Sequence, residues 1–230
     1  MVMDNDGFIW IGTDGAGLYK FNGLSYTYYG HDLNDSSSVN SNSINSLFLD
    51  ASGRLLIGTD AGLCIYNSLE NSFKRFENKS YGNISYTNIL CFAQFEDQFL
   101  VGTYDGVKRI NSNDATIKDH SLSGTTILDL QFSTKGDLFI ATDEGLKREQ
   151  YHQTGVIENI VLDDKSTEFH ITQLHLDKRE NLWVGTLKNG VFKGDLKNNR
   201  KSFTKLDVVD RTVMAISSGM NHIFGAVENE

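Results

Sequence analysis

The sequence predicts an all-β fold in which one four-stranded sheet is rebuilt about every 43 residues around an axis, a β-propeller. Three observations predict it. A short apolar run ending in Gly-Thr or a close variant occurs six times: Trp10-Ile11-Gly12-Thr13, Leu56-Ile57-Gly58-Thr59, Leu100-Val101-Gly102-Thr103, Phe139-Ile140-Ala141-Thr142, Trp183-Val184-Gly185-Thr186 and Ile223-Phe224-Gly225-Ala226. The steps between the small residues are 46, 44, 39, 44 and 40 residues. That is too long for a leucine-rich repeat and without the periodicity of a helix pair. Helical signal is nearly absent, while Gly-, Asn- and Asp-rich turns recur.

Each unit reads as four strands. The first is alternating or apolar: 44–49, 89–95, 127–132, 171–176 and 213–216. A turn follows, as in Asp4-Asn5-Asp6-Gly7, Asp50-Ala51-Ser52-Gly53, Ser133-Thr134-Lys135-Gly136 and the run from Asp177 to Asn181. Asp and Asn bond their own backbone in such turns, and Gly supplies positive φ. The second strand is the Gly-Thr strand, apolar on both faces and therefore covered on both. Gly weakens a strand and marks a close approach of another backbone; here that place is the packing of one sheet on the next. A second turn closes at Gly17, Gly62, Gly106, Gly145 or Gly190, and the third strand alternates from there. The fourth is more polar, as in Phe73-Lys74-Arg75-Phe76 and Phe203-Thr204-Lys205-Leu206. Apolar content falls outward, as in a blade whose inner strands are buried and whose outer edge meets water.

The pattern Asp-x-x-Gly-x-hydrophobic-Trp-hydrophobic-Gly-Thr-x-x-x-Gly-Leu resembles the two-component regulator propeller repeat. Asp4 to Leu18 and Asp177 to Val191 match it best, with Trp10 and Trp183 at the Trp position. Leu56, Leu100, Phe139 and Ile223 stand there in the other copies. The third copy lacks the leading Asp-Gly turn, and the sixth is the poorest. The Gly-His and Trp-Asp landmarks of WD40 proteins are absent. The resemblance implies a non-catalytic sensory scaffold from the periplasmic region of a membrane-anchored hybrid two-component histidine kinase of Bacteroidetes type. An oligosaccharide ligand, a neighbouring propeller or β-domain of the same protein, and a homodimer are the partners it implies. Two alternatives stay open: an interaction propeller of a cytoplasmic regulator, and a propeller lyase or hydrolase.

Composition narrows the classes. Charged residues make up 22% and hydrophobic residues 39% of the 230, the balance of a soluble globular chain. Pro is absent, where about 5% is usual. The net charge is −9. The densest basic run, Lys197 to Lys201, is short and reads as a solvated turn; a nucleic-acid partner would need a basic face. No run of 18 apolar residues is present to span a membrane. The start has no basic and apolar pattern of a signal peptide. Cys64 and Cys91 read as buried free thiols.

The reading is a single propeller segment over 1–230, with repeats at about 1–43, 44–87, 88–125, 126–170, 171–211 and a partial 212–230. The chain opens near the end of a first strand and stops after a second. An incomplete, five- to six-blade part of a seven-bladed propeller is expected, an open arc whose end faces favour association. If the chain is instead complete, a cytoplasmic location follows.

No catalytic constellation, cofactor motif or metal set is read from the residues. His170 and His175 are five apart on an extended segment and point to opposite faces. Asp4-Asn5-Asp6-Gly7 lacks the later ligands of a calcium loop. The connections from fourth to first strand, with the second-to-third turns, share one face. They are 30–43, 78–87, 121–125, 163–169 and 207–211, and the first is long and Ser/Asn-rich. The ligand-binding candidates on this face are Tyr28, Tyr29, His31, Asp32, Asp60, Tyr81, Tyr86, Tyr104 and Asp105. Aromatic faces beside Asp suit carbohydrate, whose C–H faces stack and whose hydroxyls bond. Strand-end packing is the competing reading of Tyr28, Tyr29 and Tyr86; Trp10 and Trp183, in the buried second strand, read as inter-blade core with the indole N–H finding a partner, and as ligand platforms in the alternative.

Overall fold

The computed structural model describes residues 1–75, 88–110, 117–150, 156–162, 169–197, 203–206, 211–218 and 223–227. Among them the elements are strands joined by turns. Sheet one is β1 (Val2–Met3), β2 (Ile9–Gly12), β3 (Leu18–Phe21) and β4 (Tyr26–Tyr29). Sheet two is β5 (Ile44–Leu49), β6 (Leu55–Thr59), β7 (Gly62–Asn67) and β8 (Ser72–Arg75). Sheet three is β9 (Ile89–Phe95), β10 (Gln98–Thr103), β11 (Gly106–Ile110) and β12 (Ile117–Ser121). Sheet four is β13 (Ile127–Phe132), β14 (Leu138–Thr142), β15 (Gly145–Glu149) and β16 (Ile157–Ile160). Sheet five is β17 (Ile171–Leu176), β18 (Asn181–Thr186), β19 (Val191–Asp195) and β20 (Phe203–Lys205), and a sixth pairs β21 (Val213–Ser218) with β22 (Ile223–Val227). Neighbours in each sheet are consecutive and antiparallel, as the hairpin turns require. The chain divides into two compact units, Met1–Gly124 and Thr125–Glu230.

Within each unit the first strand of one sheet packs on the first or second strand of the sheet before it. In the first unit β5 packs on β2 and β9 on β5; in the second β17 packs on β13 and β21 on β17. The Gly-Thr strands are buried throughout in β6 and β14. Glycine in the Gly-Thr strand is the point of close approach. A Cβ on Gly12 would lie 2.5 Å from Ile44 Cγ2. On Gly58 it would lie 2.8 Å from Ile89 Cγ2, and on Gly185 2.8 Å from Val213 Cγ1. Each of these β-branched residues opens the first strand of the next sheet and is buried. Directly after it the pairing slips by one residue, at Ile44/Ser46, Ile127/Asp129, Ile171/Gln173 and Val213/Ala215. The bulge bends the strand, and at Ile44 and Val213 the leading residue lies over the neighbour's glycine. A main-chain bond from Ile44 N to Thr13 O (2.8 Å) fastens the first of these seams.

Candidate functional site

The Thr of Gly-Thr ties the turn between second and third strands. Its hydroxyl donates to the glycine carbonyl across the turn: Thr59 to Gly62 (2.9 Å), Thr103 to Gly106 (2.9 Å), Thr142 to Gly145 (2.8 Å) and Thr186 to Gly190 (2.8 Å). The same oxygen accepts a turn N–H, as from Ala61 (3.1 Å) and Asp105 (3.0 Å). All four of these hydroxyls belong to buried residues, so a buried donor and acceptor are satisfied by one side chain. Asp60, Tyr104 and Asp105 sit in these turns. Asp60 is exposed, and Tyr104 is 58% exposed. The Asp105 carboxylate accepts from Gly124 N (2.6 Å), Ser123 Oγ (3.2 Å) and Lys108 Nζ (3.2 Å). The Gly124 bond and the Lys108 charge hold this carboxyl below its ordinary range.

The long connection after β4 is built around Arg75 of β8. Its Nε donates to Ser38 O (3.0 Å), and its Nη2 lies within reach of Asp35 O (2.9 Å), Ser38 Oγ (2.7 Å), Val39 O (3.2 Å) and Asp32 O (3.3 Å). A guanidinium presents five N–H donors in a fixed fork, and the loop wraps its carbonyls round that fork. His31 joins the cluster: Nδ1 lies 2.8 Å from Val39 O and 3.4 Å from Arg75 Nη2, and its N–H donates to Asn42 Oδ1 (2.7 Å). His31 and Asp32 are thus brought together, as parts of an ordered strap. Asn40 in the same strap donates to Ala61 O (2.8 Å), and its Oδ1 lies 2.9 Å from Thr59 Oγ1, tying it to the turn that holds Asp60. Cys64 Sγ lies 3.0 Å from Asn40 Oδ1, and burial pushes its thiol up to about 12.

Tyr28 and Tyr29 end up on opposite faces of β4. Tyr28 is 54% exposed and tilts against Tyr19 at 5.2 Å. Tyr29 stacks on Trp10 at 5.6 Å and meets Phe73 edge-on at 5.3 Å, and its hydroxyl donates to Asn71 Oδ1 (2.7 Å). Burial, then the neighbouring Tyr66 hydroxyl, raises its pKa. Tyr29 is therefore a wall of the aromatic cluster. Tyr81 and Tyr86 lie outside the described residues. Cys64 and Cys91 are buried. Among the described residues no group of three or more His, Cys, Asp or Glu is placed to hold a metal ion.

Sequence reasoning missed a clasp that joins the Asp and Trp of the repeat. Asp4 Oδ1 accepts from Asp6 N (3.1 Å) and Phe8 N (2.9 Å), while Oδ2 accepts the Trp10 indole N–H at 2.7 Å. Asp177 repeats this with Arg179 N (2.8 Å), Asn181 N (2.9 Å) and Trp183 Nε1 (2.9 Å). Burial alone would raise the Asp177 carboxyl. The bonds from Asn181, Trp183 and Arg179 together outweigh it and hold the pKa at about 2. The cross-strand Lys stands over the indole: Lys20 Nζ is 5.0 Å from the Trp10 ring and Lys193 Nζ 5.2 Å from the Trp183 ring. Trp10 is wholly buried, as an inter-sheet residue; Trp183 is half-buried. The six-residue spacing of Asp and Trp in both best-matching copies was the available signal.

Repeated antiparallel four-stranded sheets, seated on one another within each unit through a small residue, are those of a β-propeller. Residues 38–61 match the family model described as two component regulator propeller, the family the repeat pattern resembles. The match begins in the Arg75 strap and ends just past Gly58-Thr59. Among curated proteins none matches the sequence significantly. Solved structures share the fold. The extracellular domain of a hybrid two component system of B. thetaiotaomicron superposes with a TM-score of 0.81 at 18% identity, over 99% of this chain and 30% of that one. A second such domain from the same organism gives 0.78 at 20% identity, over 96% of this chain and 30% of that one. Virginiamycin B lyase from Staphylococcus aureus gives 0.75 at 12% identity, over 98% of this chain and 76% of that one. The chain thus spans about 30% of the length of the extracellular domains it matches.

Proposed function

We propose that this chain is a sensory segment of a two-component signalling protein, without catalytic work of its own, exposed outside the cytoplasmic membrane. The observation that carries the reading is the match of residues 38–61 to a two component regulator propeller. The likeness in fold to extracellular domains of hybrid two component systems supports it. In this reading the loop face recognises an oligosaccharide. Tyr28, Tyr104, Asp60 and Asp105 are its exposed contacts, and the strap of His31 and Asp32 is its ordered rim. The neighbouring propeller or β-domain of the same protein, arranged as a homodimer, carries the change to a histidine kinase. The test is the full-length protein in membrane vesicles with defined oligosaccharides. The expected result is a change in autophosphorylation that is lost on Tyr104→Ala. A full-length protein without kinase activity, or one indifferent to every oligosaccharide class, overturns the reading. The fold shared with virginiamycin B lyase favours a second reading, a propeller lyase. Substrate turnover by the same preparation would select it.

A further inference from the structure

Two cavities occupy one and the same place in the repeat: the slot that Trp fills in its best copies. Between sheets two and three, a cavity of about 190 Å³ is walled by Leu56, Ile65, Phe99 and Ile110, with Asp50 and Arg54 at its mouth. Leu56 holds the Trp position, and its cross-strand partner Ile65 holds that of Lys20 and Lys193. Between sheets four and five, a cavity of about 50 Å³ lies beside Phe139, again at the Trp position, paired with Arg148. The void is smaller where the side chain is larger.

The polar end of the slot is preserved at Asp50. Its Oδ1 accepts from Ser52 N (3.0 Å) and Arg54 N (2.8 Å), the same two backbone positions that orient Asp4 and Asp177. Oδ2 is therefore presented as it is in the clasps. In sheet five, Asp177 Oδ2 accepts two donors, Asn181 Nδ2 (2.8 Å) and Trp183 Nε1 (2.9 Å). In sheet two the residue in the place of Asn181 supplies the first of them, Arg54 Nε at 2.7 Å. No indole stands where the second would come from. A carboxylate oxygen has two lone pairs, so one remains for a ring N–H.

We propose that the cleft between sheets two and three is a binding site for a small indole-bearing ligand. Its ring takes the volume left by Leu56, and its N–H donates to Asp50 Oδ2. The occupant is identified by the molecule's own repeat, which places an indole on the equivalent carboxylate twice. The inference stands apart from the oligosaccharide reading, which uses the loop face.

Calorimetric titration of the full-length protein with indole tests it. Saturable binding is expected. 1-Methylindole, which has no N–H to donate, is expected to bind about fivefold more weakly, the worth of one hydrogen bond. Leu56→Trp is expected to weaken indole binding more than about tenfold while raising the melting temperature, because the slot is filled from within. Leu56→Phe, copying the residue at 139, tests the same volume if the Trp variant does not fold, and weakens indole binding as well. Absence of saturable binding, equal affinity for the two indoles, or unchanged affinity in the filled variant overturns the proposal.

Discussion

Replacing Gly12 with alanine tests the seam on which the repeat depends. The added Cβ would lie 2.5 Å from Ile44 Cγ2 and 2.8 Å from Ile44 Cβ. Ordinary carbon contacts are about 3.5–4.0 Å, so the two sheets must part by roughly 1 Å. Rotating Ile44 relieves the first contact only, because its Cβ is fixed to the backbone. Overpacking of this kind costs about 1–3 kcal/mol. Removing a glycine from a strand returns about 0.5–1 kcal/mol. At the middle of both ranges the net loss is about 1 kcal/mol, or about 2–5 °C in melting temperature for a chain of this length. Gly185→Ala meets Val213 Cγ1 at 2.8 Å and Cβ at 3.0 Å and is expected to cost less. Gly12→Ala with Ile44→Ala should be less destabilised than the sum of the two, by about 1 kcal/mol of coupling. Urea denaturation followed by circular dichroism reads all four proteins. A Gly12→Ala variant as stable as the parent, or additive behaviour of the pair, would refute the reasoning.

Other outcomes follow from other features. Thr59→Val leaves the Ala61 N–H and Gly62 carbonyl of the buried turn without their partner and should cost about 2–3 kcal/mol, read as a lower urea midpoint. Asp129 accepts from Leu174 N (2.7 Å) and Leu130 N (2.8 Å), and burial, only partly offset by these bonds, raises its pKa to about 6. That lies above the unfolded value of about 4, so its contribution to stability is fully present below pH 4 and is lost as pH rises through 6. Asp129→Asn should flatten that part of the stability profile, and a profile unchanged between pH 4.5 and 7 would show that Asp129 does not control it. Arg75→Ala removes the fork that the strap wraps. Limited proteolysis should then cut within residues 31–42 at least about tenfold faster at little cost to the sheets.

The fold was legible because its signals are local. Gly62 and Gly106 close turns at φ 110 and 83, and the apolar Gly-Thr strands β6 and β14 bury both faces, whereas β22 is exposed over 224–227. The sequence pattern also pointed to glycine as a contact between sheets, which Gly12, Gly58 and Gly185 make. The two-residue β1 carries almost no signal, being too short for alternation. In the turn that begins at Asp177, the position of Gly7 and Gly53 is held by Glu180 at φ 62, which no propensity scale would assign. The candidate site was harder to read. Arg75 reaches residues about forty positions earlier in the chain, and no sequence pattern links a fourth-strand arginine to loop carbonyls. Tyr28 and Tyr29 look alike in sequence; strand alternation and the presence of Trp10 and Phe73 on one side decide which is wall and which is surface.

The fastenings within a sheet, the threonine hook of sheets two to five and the aspartate clasp of sheets one and five, each lie within one run of chain. What passes between sheets is one β-branched residue set over one small residue, with a few bonds such as Ile44 N to Thr13 O. The natural cut points are therefore at Ile44, Ile89, Ile171 and Val213, inside the strands, and the loops lie within the cassettes. A recombination that begins at one such residue and ends just before the next carries a whole sheet, with the β-branched half of one joint and the small-residue half of the following one. A unit cut in this way keeps its turns and their fastenings, such as the hook of Thr59 on Gly62, intact.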